Sequence, residues 1–344
     1  MTIHTLDPEG DVLLTLHNPT APFADFAVLD KFAGFEEPEH STATVEDGIE
    51  DLSVGRDVEP RDNSVEENPP PTVQYLLSSR HLILSSEYFK RTLKGPWKEG
   101  TKDGRYELSA DDWDEEALLI LMQIIHGHNL KAPKSITLEI FAKIAVLVDY
   151  YHCHEALLLW SDIWINDFKE SIPDGCNRDL ILFILVAFIF KQEDLFRRAT
   201  QVALLKCHER LPTLNLPITE VADRIDERRQ EFANRLFARL DTVADLLRDG
   251  ELGCSFECSS ILLGALIKES HEKGILNSHP GPRFQGHSIE SLVGLIRAFK
   301  KPRWGTPSHN YHYDFNGRYH PCTLQNLFEE NLKETVEGLE ISDI

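Results

Sequence analysis

The sequence predicts an α+β N-terminal domain, in which a small sheet is flanked by helices, followed by a mainly α-helical C-terminal region. The segment DVLLTL at Asp11–Leu16 follows turn-forming residues and predicts a short buried strand. The segment from Val73 to Leu77 alternates only in part, but its β-branched and aromatic residues favour a second strand. From residue 136 onward, apolar residues recur at helical spacing.

The stretch between Val73 and Gly127 carries a further helix, a strand and an amphipathic helix in succession. The hydroxyls of Ser85-Ser86 suit the start of a helix that places Phe89 and Leu93 on one face. Gly95-Pro96 ends that helix. This order of elements is typical of an interaction module. The stretch contains no recognisable catalytic motif.

An acidic segment interrupts the N-terminal domain at about residues 36–71. Residues 36–68 contain twelve acidic residues and two arginines, and almost no large apolar side chains. Because such a composition buries too little apolar surface to offset the entropy of ordering, we predict a disordered insertion. An acidic tether for a basic partner and a phosphorylated segment are the functional alternatives.

The helical part of the chain divides at its turn signals. The apolar periodicity predicts helices at 136–151, 155–168, 180–190, 195–207 and 218–247. We therefore predict the N-terminal domain at residues 1–170, a helical extension at 171–250 and a C-terminal helical region at 251–344.

The composition and the first residues predict which kinds of partner the protein binds and in which compartment it acts. A formal charge of −22 argues against binding to nucleic acid or to an anionic membrane surface. The longest apolar run, Leu180–Phe190, has eleven residues, whereas a bilayer span needs roughly 20, so we predict a buried core helix. The first residues lack the pattern of a secretory signal, which predicts an intracellular protein of the nucleus or cytoplasm with reduced thiols.

Three motifs taken together resemble a BTB/POZ domain of the fungal type: SSRHLILSSEYFKRTLKGPWKEG, ELSADDWDEEALLILMQIIHG and IAVLVDYYHCHEALLLW. The resemblance covers about residues 7–168 on either side of the acidic segment. It departs at Ser78-Ser79, where well-known animal members carry a His-Lys pair. The positions that match the family signature are Asp11, Leu82, Ser86, Phe89, Glu99, His126 and Gly127.

The resemblance implies protein partners rather than a substrate. Many domains of this type form homodimers, and some dock cullin ubiquitin ligases while another region selects the substrate. We therefore expect a non-enzymatic adaptor or scaffold, with a second copy of the chain and a cullin as candidate partners. The helical region after Pro173 is where we expect partner selection.

Cysteine and histidine residues in the C-terminal region predict a structural zinc site. Cys254 and Cys258 are four apart, which places them on one face of a helix. His320 and Cys322 would complete a closed tetrahedral shell, with His312 as the substitute ligand. The alternative is that the cysteines are small core residues.

An enzyme is not predicted, because the sequence has no G-x-S-x-G motif, phosphate-binding loop or dinucleotide fingerprint. The pairs Cys322/His312 and Cys207/His208 lack a local signature for an oxyanion hole. The alternative to an adaptor is a metal-dependent regulatory protein or enzyme that acts through the C-terminal cysteines and histidines.

Overall fold

The computed structural model describes residues 2–24, 71–94, 104–275, 286–302, 321–332 and 336–344. Most of the predicted acidic insertion lies outside these ranges, as do Glu99, His312 and His320. The chain separates into two compact units, Met1–Phe23 with Glu37–Ile163 and Ala24–Glu36 with Trp164–Ile344.

The first unit is built around a four-stranded sheet with the strand order β1-β3-β2-β4. Its strands are β1 (Thr2–Thr5), β2 (Val12–His17), β3 (Thr72–Leu77) and β4 (Tyr106–Asp111). The central pair, β2 and β3, is antiparallel, whereas β1 runs parallel to β3 and β4 runs parallel to β2. Leu14 lies opposite Tyr75 and Leu16 opposite Val73, so the buried residues of the central strands share one face.

The helices of the first unit contribute buried apolar residues to its core. They are α1 (Ser79–Ser85), α2 (Glu87–Lys94), α3 (Glu115–Ile125), α4 (Leu138–Tyr151) and the greater part of α5 (His154–Phe168), which continues into the second unit from Trp164. The side chain of Asp114 accepts a hydrogen bond from the backbone N–H of Ala117 and so caps α3. Lys143 of α4 forms an ion pair with the same carboxylate at 2.9 Å, which ties α4 to the start of α3.

The second unit is helical in its described residues. Its elements after α5 are α6 (Arg178–Ile189), α7 (Glu193–Lys206), α8 (Thr219–Arg248), α9 (Phe256–Glu272), α10 (Ile289–Arg297), α11 (Leu324–Leu332) and a 3-10 turn (Ile341–Asp343). Residues from 232 onward in α8 share one hydrophobic core with residues of α9, α10 and α11. The predicted division at residue 250 therefore falls between two helices that pack in the same core.

The coarse prediction of a small sheet followed by helices is confirmed by this layout. The sequence prediction did not include β1, because Thr2–Thr5 carries no alternating apolar pattern and joins the sheet through its backbone pairing with β3. The apolar run at Leu180–Phe190 forms α6 and is buried. Across the described ranges, no helix is both long and apolar enough to cross a membrane.

The expectation of reduced thiols is wrong for one pair in the second unit. Cys176 and Cys207 form a disulfide, with their Cα atoms 5.2 Å apart. Cys176 lies just before α6 and Cys207 directly follows α7, and the two helices pack against each other across a short connection. Because this pairing depends on how two helices pack, the spacing of the cysteines in the sequence did not reveal it.

Candidate functional site

Asp11 and Ser79 join the start of the sheet to the first helix. The Asp11 carboxylate accepts hydrogen bonds from the backbone N–H of Ser79 at 2.8 Å and from its hydroxyl at 2.7 Å. Burial alone would raise the pKa of Asp11, but these bonds hold that pKa below its ordinary value. Ser79 thus supplies two neutral hydrogen-bond donors to a carboxylate.

His126 links the end of α3 to the start of α1. Its Nε2 accepts a hydrogen bond from the backbone N–H of Ser78 at 3.0 Å, and its Nδ1 lies 2.8 Å from the carbonyl oxygen of Met122. Because Nε2 must accept, Nδ1 carries the proton and the ring is neutral. Gly127 follows with a φ of +74°, a left-handed conformation that favours glycine at the end of the helix.

Ser86 and Phe89 fix α2 against α4. The Ser86 hydroxyl donates to the carbonyl oxygen of Tyr151 at 2.5 Å and accepts from the backbone N–H of Phe89 at 3.1 Å. The rings of Phe89 and Tyr151 are stacked with their centroids 4.8 Å apart. Of the two predicted capping serines, Ser86 therefore caps α2, whereas Ser85 is the last residue of α1.

The described signature residues thus belong to one connected frame inside the first unit. Asp11, Leu82, Ser86, Phe89 and His126 link β2, α1, α2, α3 and α4 through buried packing and hydrogen bonds. Their contacts hold these elements together.

The stability of this frame is expected to depend on pH through His126. Burial, aided by the nearby His81 and His128, lowers the pKa of His126 from 6.5 to about 4, although the bond to Met122 opposes the shift. A lowered pKa means that the folded state binds fewer protons, so stability present above pH 6.5 is lost as the pH falls toward 4. Lowering the pH from about 7 to about 5 should therefore reduce the free energy of unfolding by about 2 kcal/mol through this group.

Urea unfolding of the wild type and of His126→Gln at the two pH values measures this contribution. Glutamine keeps a polar side chain but does not titrate, so the variant should lose less stability than the wild type over the same interval. Parallel pH dependences of the two proteins would contradict the assignment to His126.

The outer face of α5 presents apolar side chains to solvent. Leu158 and Leu159 are 63% and 69% exposed, and Ile163 continues the same face one turn later. The opposite face of the helix is buried through residues such as Leu157 and Trp160. Since one face of α5 is already buried, the exposed leucines do not contribute to packing α5 against the core.

Three of the four predicted metal ligands lie together in the second unit. The sulfur atoms of Cys254, Cys258 and Cys322 are all within 4.8 Å of one another. Cys258 is buried, Cys322 is partly buried and Cys254 is exposed. His320, the fourth predicted ligand, lies outside the described residues.

The predicted helical spacing of the two nearest cysteines is not what brings them together. Helix α9 begins at Phe256, and the side chain of Ser255 caps it by accepting from the backbone N–H of Cys258 at 3.2 Å. Cys254 therefore precedes the helix and returns toward Cys258 through the turn. Gly253 permits that turn, because it has a φ of +101° and an added Cβ would lie 3.0 Å from the backbone nitrogen of Ser259.

The thiol of Cys322 is less acidic than that of an ordinary cysteine. Burial, together with contacts to Cys258 and Cys254, raises the pKa of Cys322 to about 11. Three negative sulfur atoms at this separation repel one another unless a cation lies between them. The cluster is therefore chemically suited to thiols alone or to thiolates around a metal ion.

No protein-family model, no curated protein and no solved structure matches this chain.

Proposed function

We propose that this chain is a non-enzymatic interaction adaptor or scaffold whose first unit is a BTB/POZ-like docking module. The succession β2, β3, α1, α2, β4 and α3 supports the proposal, because it is the order that the resembling motifs imply. The buried frame around Ser86 and His126 gives five of the signature positions one shared structural role. A frame of this kind holds a surface rigid without placing a reactive group in it.

The exposed apolar face of α5 is the observation that carries the proposal. Leu158 and Leu159 are consecutive exposed residues of a helix whose other face is already packed. A partner that covers them would gain about 25 cal/mol of binding free energy for each Å² of apolar surface buried. The first unit would not have to refold for this contact to form. We propose a second copy of the chain or a cullin as the protein that covers this face, with the second unit selecting the substrate.

The test compares the purified full-length chain with two variants that each add one glutamate to an exposed position of α5. Light scattering after size-exclusion chromatography measures self-association at micromolar concentration, and titration calorimetry measures binding to a purified cullin. Leu158→Glu is expected to weaken whichever complex forms by about tenfold or more, because a charge enters an apolar contact. Asn166→Glu, at an exposed polar position of the same helix, is expected to leave binding unchanged.

The adaptor proposal fails if the wild type neither self-associates nor binds the cullin under these conditions. It also fails if Leu158→Glu and Asn166→Glu behave alike. Phe89→Asp serves as the unfolded control, since it places a charge in the buried stack on Tyr151.

The cysteine cluster supports a second candidate function, a metal-dependent regulatory protein. A regulatory or catalytic ion would keep one coordination position open for water, whereas a structural ion would have a closed shell. Partner binding that requires added zinc, lost on chelation while the fold remains intact, would favour this second function.

A further inference from the structure

We propose that Cys254, Cys258 and Cys322 bind one divalent cation of the zinc class through three thiolates. The three sulfur atoms lie within 4.8 Å of one another. Thiolates around a tetrahedral zinc ion stand about 3.8 Å apart, since each Zn–S bond is about 2.3 Å. Small rotations of the side chains therefore suffice to form the site. Soft sulfur ligands select zinc over the magnesium and calcium that oxygen ligands prefer.

Two of the three cysteines stand next to capped helix starts. Cys254 stands directly before Ser255, the cap of α9. Cys322 stands directly before Thr323, whose hydroxyl accepts from the backbone N–H of Asn326 at 3.2 Å at the start of α11. Two cysteines thus occupy the same position relative to two different helices. Each of these two cysteines is therefore held next to the capped start of a helix.

The ion would join two distant parts of the chain within one core. Cys258 belongs to the hydrophobic core shared by α8, α9, α10 and α11, and Cys322 packs against it. A metal bond between the starts of α9 and α11 would hold both helices against α8. Metal binding would add to the stability that the apolar packing of this core already provides.

The turn at Gly253 provides the second line of support. A residue with a Cβ would meet the backbone of Ser259, and the φ of +101° disfavours any other residue. The turn places Cys254 beside Cys258 without using the helix to do so. The turn therefore fixes the backbone of one proposed ligand relative to the helix that carries another.

The experiment uses the full-length chain purified with reducing agent. Zinc is quantified by plasma mass spectrometry, and the apoprotein is titrated with Co²⁺, which gives thiolate charge-transfer and tetrahedral d–d absorption bands when sulfur ligands surround it. We expect one equivalent of metal per chain. Cys322→Ser and Cys254→Ser are expected to lose most of it, and since Cys254 is exposed the second variant should retain its fold.

Cys153→Ala is the matched control, because Cys153 is a buried thiol of the first unit far from this cluster in the sequence. It is expected to bind metal as the wild type does. Three results would overturn the proposal: absence of bound zinc and of cobalt bands in folded wild type, unchanged metal content in Cys254→Ser and Cys322→Ser, or a disulfide within the cluster in the reduced protein. Circular dichroism of every sample establishes that the fold is intact.

Discussion

Replacement of Phe89 by alanine is expected to remove about 3–5 kcal/mol from the free energy of unfolding of the first unit. Phe89 is fully buried, and its ring stacks on Tyr151 at a centroid separation of 4.8 Å. Truncation leaves a cavity between α2 and α4 and removes the aromatic contact. Hydrogen exchange read by mass spectrometry should show faster exchange in α2 and α4.

The control for this variant is Arg91→Ala, which changes an exposed residue of the same helix. Its cost should stay within about 0.5 kcal/mol. Peptides from α8 and α9, which belong to the second unit, provide an internal reference in both proteins. Equal protection of α4 in Phe89→Ala and Arg91→Ala would show that the stacked pair does not hold the frame.

The sequence predicted the parts of the fold that have a repeating local signal. The helices α4 to α8 appear within a few residues of the predicted bounds, because their apolar faces recur over several turns. Strand β1 carries no such signal, since its contribution is backbone pairing with β3. The disulfide between Cys176 and Cys207 depends on helix packing, which spacing along the chain does not reveal.

In the candidate sites too, the sequence predicted what has a local signal and did not predict the long-range contacts. The residue types of the cysteine cluster were readable from the sequence, but the helical spacing predicted for Cys254 was wrong because Ser255 caps α9 one residue later. The bond from Ser78 to His126 joins residues far apart in the chain and had no local signal. Long-range polar contacts of this kind depend on the completed fold.

One feature of the second unit that lacked such a signal is the docking of residues 336–344 on α7. The backbone N–H of Leu339 donates to the hydroxyl of Thr200 at 2.9 Å, and the side chain of Gln201 donates to the carbonyl oxygen of Val336 at 2.8 Å. The Leu339 side chain is fully buried. Gly338 lies between these contacts, directly against the α7 backbone.

Gly338→Ala is expected to release this segment from α7. An added Cβ would lie 1.8 Å from the carbonyl oxygen of Arg197, a backbone atom that has no freedom to rotate away. The segment must move, and it then loses the burial of Leu339, which contributes about 2 kcal/mol, and two hydrogen bonds of about 1 kcal/mol each.

The release is measured by hydrogen exchange and limited proteolysis, which should show residues 336–344 cleaved readily and α7 less protected, while the sheet of the first unit keeps its protection. Glu337→Ala changes the exposed neighbour of the glycine and should leave the segment docked. The two variants separate a steric cause from a general sensitivity of the segment, because only the substitution at Gly338 places an atom inside the α7 backbone. Wild-type protection of α7 and of residues 336–344 in Gly338→Ala would contradict the prediction, because it would show that the segment stays docked with a methyl group at this position.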